Sequence, residues 1–176
     1  GWRRTLRGFE LLESRQLLAA QPIISEFMAS NDGTIEDGFG QDSDWIELTN
    51  IGDAPVDLQG YYLSDSVNNL TKRSFPSPTI LNPGQFLVVF ASDMDTVDPL
   101  GYHHTNYKLS ADGENVGLFD PDGVTPITAF EFGPQLTDVS YGQCPLPDGR
   151  WDFQYLPTPG AANACGRLYL PSAPVN

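Results

Sequence analysis

Residues 44–50 read Asp44-Trp45-Ile46-Glu47-Leu48-Thr49-Asn50, and their alternation decides the fold class. Successive side chains of a strand point to opposite sides, so Ile46 and Leu48 share one face and Trp45, Glu47 and Thr49 the other. The turn-forming Asn50-Ile51-Gly52-Asp53 closes the stretch. Upstream, residues 23–28 predict a first strand that ends at Asn31-Asp32-Gly33. Downstream, 56–58 and 61–64 predict two more. Asn82-Pro83-Gly84 then turns the chain into 85–91, a run apolar enough for a central strand buried on both faces. Further strands are expected over 107–109, 116–119, 127–132, 139–142 and 151–153, most of them parted by Asp-Gly or Pro-Asp-Gly turns. After residue 20 no stretch sustains a helical period. Short strands at this spacing predict an all-β sandwich.

Composition agrees. The chain of 176 residues has room for one domain with tails, and its 20 aromatic residues can fill a core. Glycine and proline number 17 and 15, an excess that argues for many turns and against a helical bundle. Formal net charge is −14, unevenly spread. Four of the nine basic residues (Arg3, Arg4, Arg7 and Arg15) lie in the first twenty positions, which leaves five basic and 21 acidic residues beyond them, a formal −16. A body so negative repels phosphate backbones and anionic lipid surfaces, so nucleic acid is not expected as a partner. The longest apolar run, 86–91, falls far short of the ~20 residues a spanning helix needs, so no transmembrane helix is expected. Cys144 and Cys165 are too few for a disulfide scaffold or a thiolate zinc site; they pair in an oxidising compartment or stay thiols in a reducing one.

Three segments follow from this. Residues 1–20 are a leader or extension, basic at the start, leucine-rich, and ending in Ala19-Ala20. Glu13-Ser14-Arg15-Gln16 breaks the apolar stretch, so a helical or flexible extension competes with an export leader. Residues 21–166 form the domain, and 167–176, with its proline-rich end, starts a linker. The chain opens on Gly1 rather than Met, so an incomplete N-terminus is expected.

A resemblance covers nearly the whole body. Ile24-Ser25-Glu26-Phe27-Met28-Ala29-Ser30-Asn31, Asp44 to Asn50, and Leu58-Gln59-Gly60-Tyr61-Tyr62-Leu63-Ser64-Asp65 occur in the order that resembles the bacterial branch of the lamin-tail domain family. Gly84 to Phe90, His104-Thr105-Asn106-Tyr107-Lys108-Leu109-Ser110, Asp138-Val139-Ser140-Tyr141-Gly142 and Pro157-Thr158-Pro159-Gly160 continue it. Residues 9–20 separately resemble the export leader of planctomycete surface and secreted proteins. The family resemblance implies an immunoglobulin-like β-sandwich without a catalytic centre. It also implies an accessory module beside secreted or envelope-associated catalytic domains.

Several constellations are weighed for chemistry. Asp32, Glu36, Asp37, Asp42 and Asp44, with Asn31, fall in one long loop, and clustered oxygen ligands suit Ca²⁺, although the spacing is not that of an EF-hand. Asp93, Asp95 and Asp98 precede His103 and His104, a set with transition-metal chemistry; adjacent histidines on an extended segment, however, point to opposite sides. Glu26 and Glu47 come close if their strands pair, which suits acid–base work; the competing expectation is that each caps backbone donors or pairs with Lys108 or Arg73. Of the aromatics Trp45, Tyr61, Tyr62, Tyr102, Tyr107, Trp151 and Tyr155, about three quarters are expected in the core, as is usual for large rings. An exposed remainder at a sandwich end would serve recognition. The expected function is a non-catalytic binding or tethering module of an exported or envelope protein, contacting a protein or glycan. A metal-dependent hydrolase or Ca²⁺-dependent carbohydrate binder using the acidic loop is the first alternative, and a structural spacer the second.

Overall fold

The computed structural model describes residues 19–145 and 149–164. The 1–20 extension, apart from Ala19 and Ala20, lies outside the described residues, as does the 167–176 linker. The described chain forms twelve strands and no helix. They are β1 (Pro22–Met28), β2 (Asp44–Asn50), β3 (Val56–Asp57), β4 (Tyr62–Ser64), β5 (Arg73–Ser74) and β6 (Ile80–Leu81), followed by β7 (Phe86–Ala91), β8 (His103–His104), β9 (Glu114–Phe119), β10 (Pro126–Phe132), β11 (Ser140–Gln143) and β12 (Trp151–Gln154). A six-stranded sheet runs β12-β11-β1-β2-β7-β8 and faces a four-stranded sheet β10-β9-β4-β5, with β3 and β6 as a small ribbon. Every pairing is antiparallel except that of β7 with β8. The fold is an immunoglobulin-like sandwich.

Between the two sheets lie Ile24, Phe27, Ile46, Leu48 and Val89 from one side, and Leu63, Val116 and Leu118 from the other. Phe27 sits among Phe132, Phe130, Tyr141 and Trp151, its ring centroid 4.6 Å from that of Phe132. Strict alternation would not put both Ile24 and Phe27 inward. The register slips by one residue between Ile24 and Glu26, a β-bulge that leaves Ser25 and Glu26 together on the far side of the sheet. That far side carries its own buried cluster of Met28, Trp45, Val88 and Phe90, with Ile35 of the 29–43 loop packed over it.

The predicted alternation of β2 and the two-faced burial of β7 both hold: Val88 and Phe90 face one layer, Val89 and Ala91 the other. Residues 107–109, predicted as a strand, are not one; Lys108 makes a single bridge to Ser92. Thr105 Oγ1 accepts the Tyr107 N–H and so withdraws that donor from a ladder, while the Tyr107 carbonyl still accepts Asp93 N–H at 3.1 Å beside the bridge. The aromatic expectation is also corrected. Only Trp45 and Tyr107 of the seven are buried, Tyr102 and Tyr155 are exposed, and Tyr61, Tyr62 and Trp151 are half-buried. Trp151 stands on edge strand β12, and Tyr61 and Tyr62 beside the short strands of the other sheet, where neither layer covers a ring completely.

Candidate functional site

At the end of the sandwich where β1 stops and β2 starts, the 29–43 loop meets the 92–110 segment. Asp98 joins them. Its carboxylate accepts the N–H groups of Gly38 (2.6 Å), Leu100 (2.9 Å) and Tyr102 (3.0 Å) and contacts His104 Nε2 at 3.1 Å. Position 38 must be glycine, because a Cβ there would run into the Asp98 carboxylate. Burial pushes the Asp98 carboxyl up, but His104 and the three N–H groups more than offset this, and its pKa lies below the ordinary value. The other nitrogen of His104 meets Ser92 Oγ at 2.7 Å, and its ring lies 5.5 Å from both Phe90 and Phe39. His103, as expected of an adjacent histidine, turns the other way and packs edge-on against Phe75. Two left-handed aspartates, Asp93 and Asp95, shape the turn after Ser92.

Beside this hub lies a polar cavity of about 530 Å³. Asp32, Asp42 and Asp44 line it with Lys108, and Ser92 and Met94 form the wall shared with the hub. Burial raises the pKa of Asp44, partly offset by the Asn31 N–H and by Lys108.

Of the residues expected to form one Ca²⁺ site, Asp32, Asp42 and Asp44 line this cavity, while Glu36 and Asp37 do not. Asp37 turns inward and spends its oxygens on Phe39 N–H, Gln41 N–H and Ser43 Oγ at 2.9–3.0 Å. Glu36 is exposed and does not line the cavity. Asp44 caps Asn31 N–H at 3.2 Å. The set Asp93, Asp95, Asp98, His103 and His104 is likewise dispersed, since Asp95 pairs with Arg73 at 3.2 Å and Asp98 is committed to backbone donors. Among the described residues no group of three or more His, Cys, Asp or Glu is arranged to hold a metal ion. A ligand that binds only the folded state must raise its melting temperature. Ca²⁺ or EDTA is therefore expected to move the midpoint by less than about 1 °C. A calcium-dependent rise of several degrees in a thermal scan would restore the ion site.

Glu26 and Glu47 are direct cross-strand partners, both wholly buried. Of the expected alternatives, capping of backbone donors describes them, not pairing with Lys108 or Arg73. Residues 155–163 cross over them as a strap. Glu26 accepts Thr158 N–H at 3.1 Å and lies against Ser140 Oγ, while Glu47 accepts Gly160 N–H and Ser25 Oγ, each at 2.6 Å. Asn163 Nδ2 fastens the strap to the carbonyls of Ser25 and Gln143. Burial, with the Glu26 charge adding to it, pushes the Glu47 carboxyl up to about 7, against the opposing bonds from Ser25 and Gly160. Burial also raises Glu26. The strap encloses both acids, so they are closed to a substrate.

Cys144 is buried and disulfide-bonded; its expected partner, Cys165, lies outside the described residues. No helix among the described residues is long and apolar enough to cross a membrane.

With this geometry in place, the comparison with known families is decisive: the chain matches the Lamin Tail Domain over residues 18–134. It belongs to that family. No curated protein and no solved structure matches the chain significantly. Lamin tail domains are immunoglobulin-like and in general non-catalytic interaction modules. Strands β11 and β12 and the strap of this domain lie beyond the matched residues. The planctomycete-type leader falls on residues 9–20, of which only Ala19 and Ala20 are described.

Neither the Asp98 hub nor the strap was legible as such in the sequence. The closest signal was the grouping of Asp98 with His104, which meet as a buried hydrogen-bonded pair.

Proposed function

We propose that this lamin tail domain is a non-catalytic binding or tethering module of an exported or envelope-associated bacterial protein, and that it presents the loops at one end of the sandwich to a protein partner. The observation that carries this reading is the polar cavity, whose walls come from separate loops held on a rigid two-sheet frame. A disulfide-bonded cysteine suits an oxidising compartment and so supports export. Ser92, His104 and Asp98 have the residue types of a nucleophilic relay. The bonds of Asp98 to the backbone of both loops, and the near-complete burial of all three, support a positioning role instead.

The test compares two sets of substitutions in the full-length protein. Asp32→Ala with Asp42→Ala alters the loop end, and Gln59→Ala with Val124→Ser alters the opposite end. Quantitative cross-linking in the native extracellular fraction should lose partners with the first pair alone. Loss with the second pair alone would place the working surface at the other end.

A further inference from the structure

The corner around Asp98 exposes more apolar surface than its surroundings explain. Phe39, Val97, Leu100 and Tyr102 are exposed by 46, 47, 72 and 36%, and Met94, at 41%, links them to the cavity wall. These side chains come from two loops that Asp98 ties together through Gly38, Leu100 and Tyr102. Their rings are linked in series: Phe39 on His104, His104 stacked on Phe90, and Phe90 edge-on to Tyr102, with centroids 5.2–5.5 Å apart. A loop tip that served only as a connection would not need an inner shell of a fully buried histidine and aspartate to hold its apolar residues in place.

Charge selects the occupant. Glu36, Asp42 and Asp93 flank the apolar corner, and the cavity beside it is walled by three carboxylates against the single ammonium of Lys108. A second copy would bring the same acidic rim against this one, within a body of formal charge −16 beyond residue 20. A partner with basic residues around an apolar centre would be attracted by the same rim.

Resting on the interaction-module reading, we propose that the corner formed by Phe39, Leu100 and Tyr102 docks a basic, amphipathic segment of another protein. Apolar side chains of that segment would lie on the three exposed residues, and a lysine or arginine would enter the cavity of Asp32, Asp42 and Asp44. Phe39 and Tyr102 act as anchors because their rings are already ordered by His104 and Phe90, so little freedom is lost on binding.

Three synthetic dodecapeptides test this on the isotope-labelled chain by NMR titration: alternating Lys and Leu, alternating Lys and Ser, and alternating Glu and Leu. The Lys–Leu peptide should shift the amides of Phe39, Leu100, Tyr102 and Asp42, and bind at least tenfold more tightly than the Lys–Ser peptide. The Glu–Leu peptide should not bind. Phe39→Ser with Leu100→Ser should weaken Lys–Leu binding at least tenfold, whereas Leu136→Ser, at another exposed apolar site, should not. Equal binding of both Lys peptides, perturbation centred on Trp151 and Tyr141, or concentration-dependent self-association through the corner would each overturn the proposal. None of these would touch the loop-end cross-linking result, which judges the module reading separately.

Discussion

Glu47→Gln should make the domain more stable at pH 8 than the parent, by up to about 3 kcal/mol, while changing little at pH 4. Hydrogen-bond counting supports this independently of the raised pKa. Thr158 Oγ1 has one hydrogen but faces two acceptors, Glu26 Oε2 at 2.9 Å and Asn163 Oδ1 at 3.0 Å. Ser25 Oγ likewise faces Glu47 Oε1 at 2.6 Å and the Glu47 carbonyl at 3.3 Å. Each shortage disappears if the carboxyl carries a proton and donates it to the hydroxyl. The folded state therefore favours the neutral acid, and burial supplies the reason.

A folded-state pKa of about 7 against an ordinary 4.5 sets the sign. Stability from Glu47 is complete below pH 4.5 and is lost as pH rises through 7. Glu26, also raised, acts in the same direction. His103, whose pKa burial lowers, gives the opposite slope over this range. The carboxylates held low, Asp57, Asp98 and Asp122, matter only below their ordinary range. On the same sheet face stands Asp152, in register with Gly142 beside Glu26 and paired with Arg150 at 3.2 Å. Chemical denaturation of parent and Glu47→Gln at pH 4, 6 and 8 isolates the Glu47 contribution as the difference between two curves. Parallel curves would mean that Glu47 ionises freely in the folded chain.

Asp98→Ala carries the second large effect. It strips the acceptor from three backbone N–H groups and from the ring of a buried histidine; one unsatisfied buried group costs about 1–3 kcal/mol, and with several left at once the loss should be about 3–5 kcal/mol. The new alanine gives Gly38, Leu100 and Tyr102 nothing to bond, so their amides should lose hydrogen-exchange protection before those of β2 or β7. Asp98→Asn keeps the shape and one acceptor oxygen and should cost distinctly less. A loss below about 1 kcal/mol for alanine, with the three amides still protected, would reduce the hub to an ordinary surface turn.

Most of the frame was written in local pattern. The alternation through β2, the apolar run of β7 and the Asn-Pro-Gly turn before it each specify a strand or its limit within a few residues. Strands β5, β6 and β8, two residues each, are too short to carry a period and exist only because longer neighbours hold them in place. The site was harder to read for the same reason. Asp98 and Gly38 are 60 positions apart, as are many contacts that only the sandwich topology creates. A composition of acids in a loop says nothing about which of them turns inward, and Asp37 and Asp98 do so because backbone donors await them. Glu26 and Glu47 were legible as a pair once their strands were assumed to be neighbours; the strap that closes over them was not, since Thr158 lies 132 positions from Glu26.

The bulge in β1 serves the C-terminal strap: its extra residue bonds Asn163 directly and reaches Gly160 through Glu47. Deleting Ser25 would close the bulge and leave Ile24, Glu26 and Phe27 on their present faces, opposite Leu48, Glu47 and Ile46, but it would remove the hydroxyl on Glu47 and the carbonyl that Asn163 grips. A chain shortened by this one serine should therefore keep its core and loosen its strap, the reverse of what a lost residue does inside a regular strand.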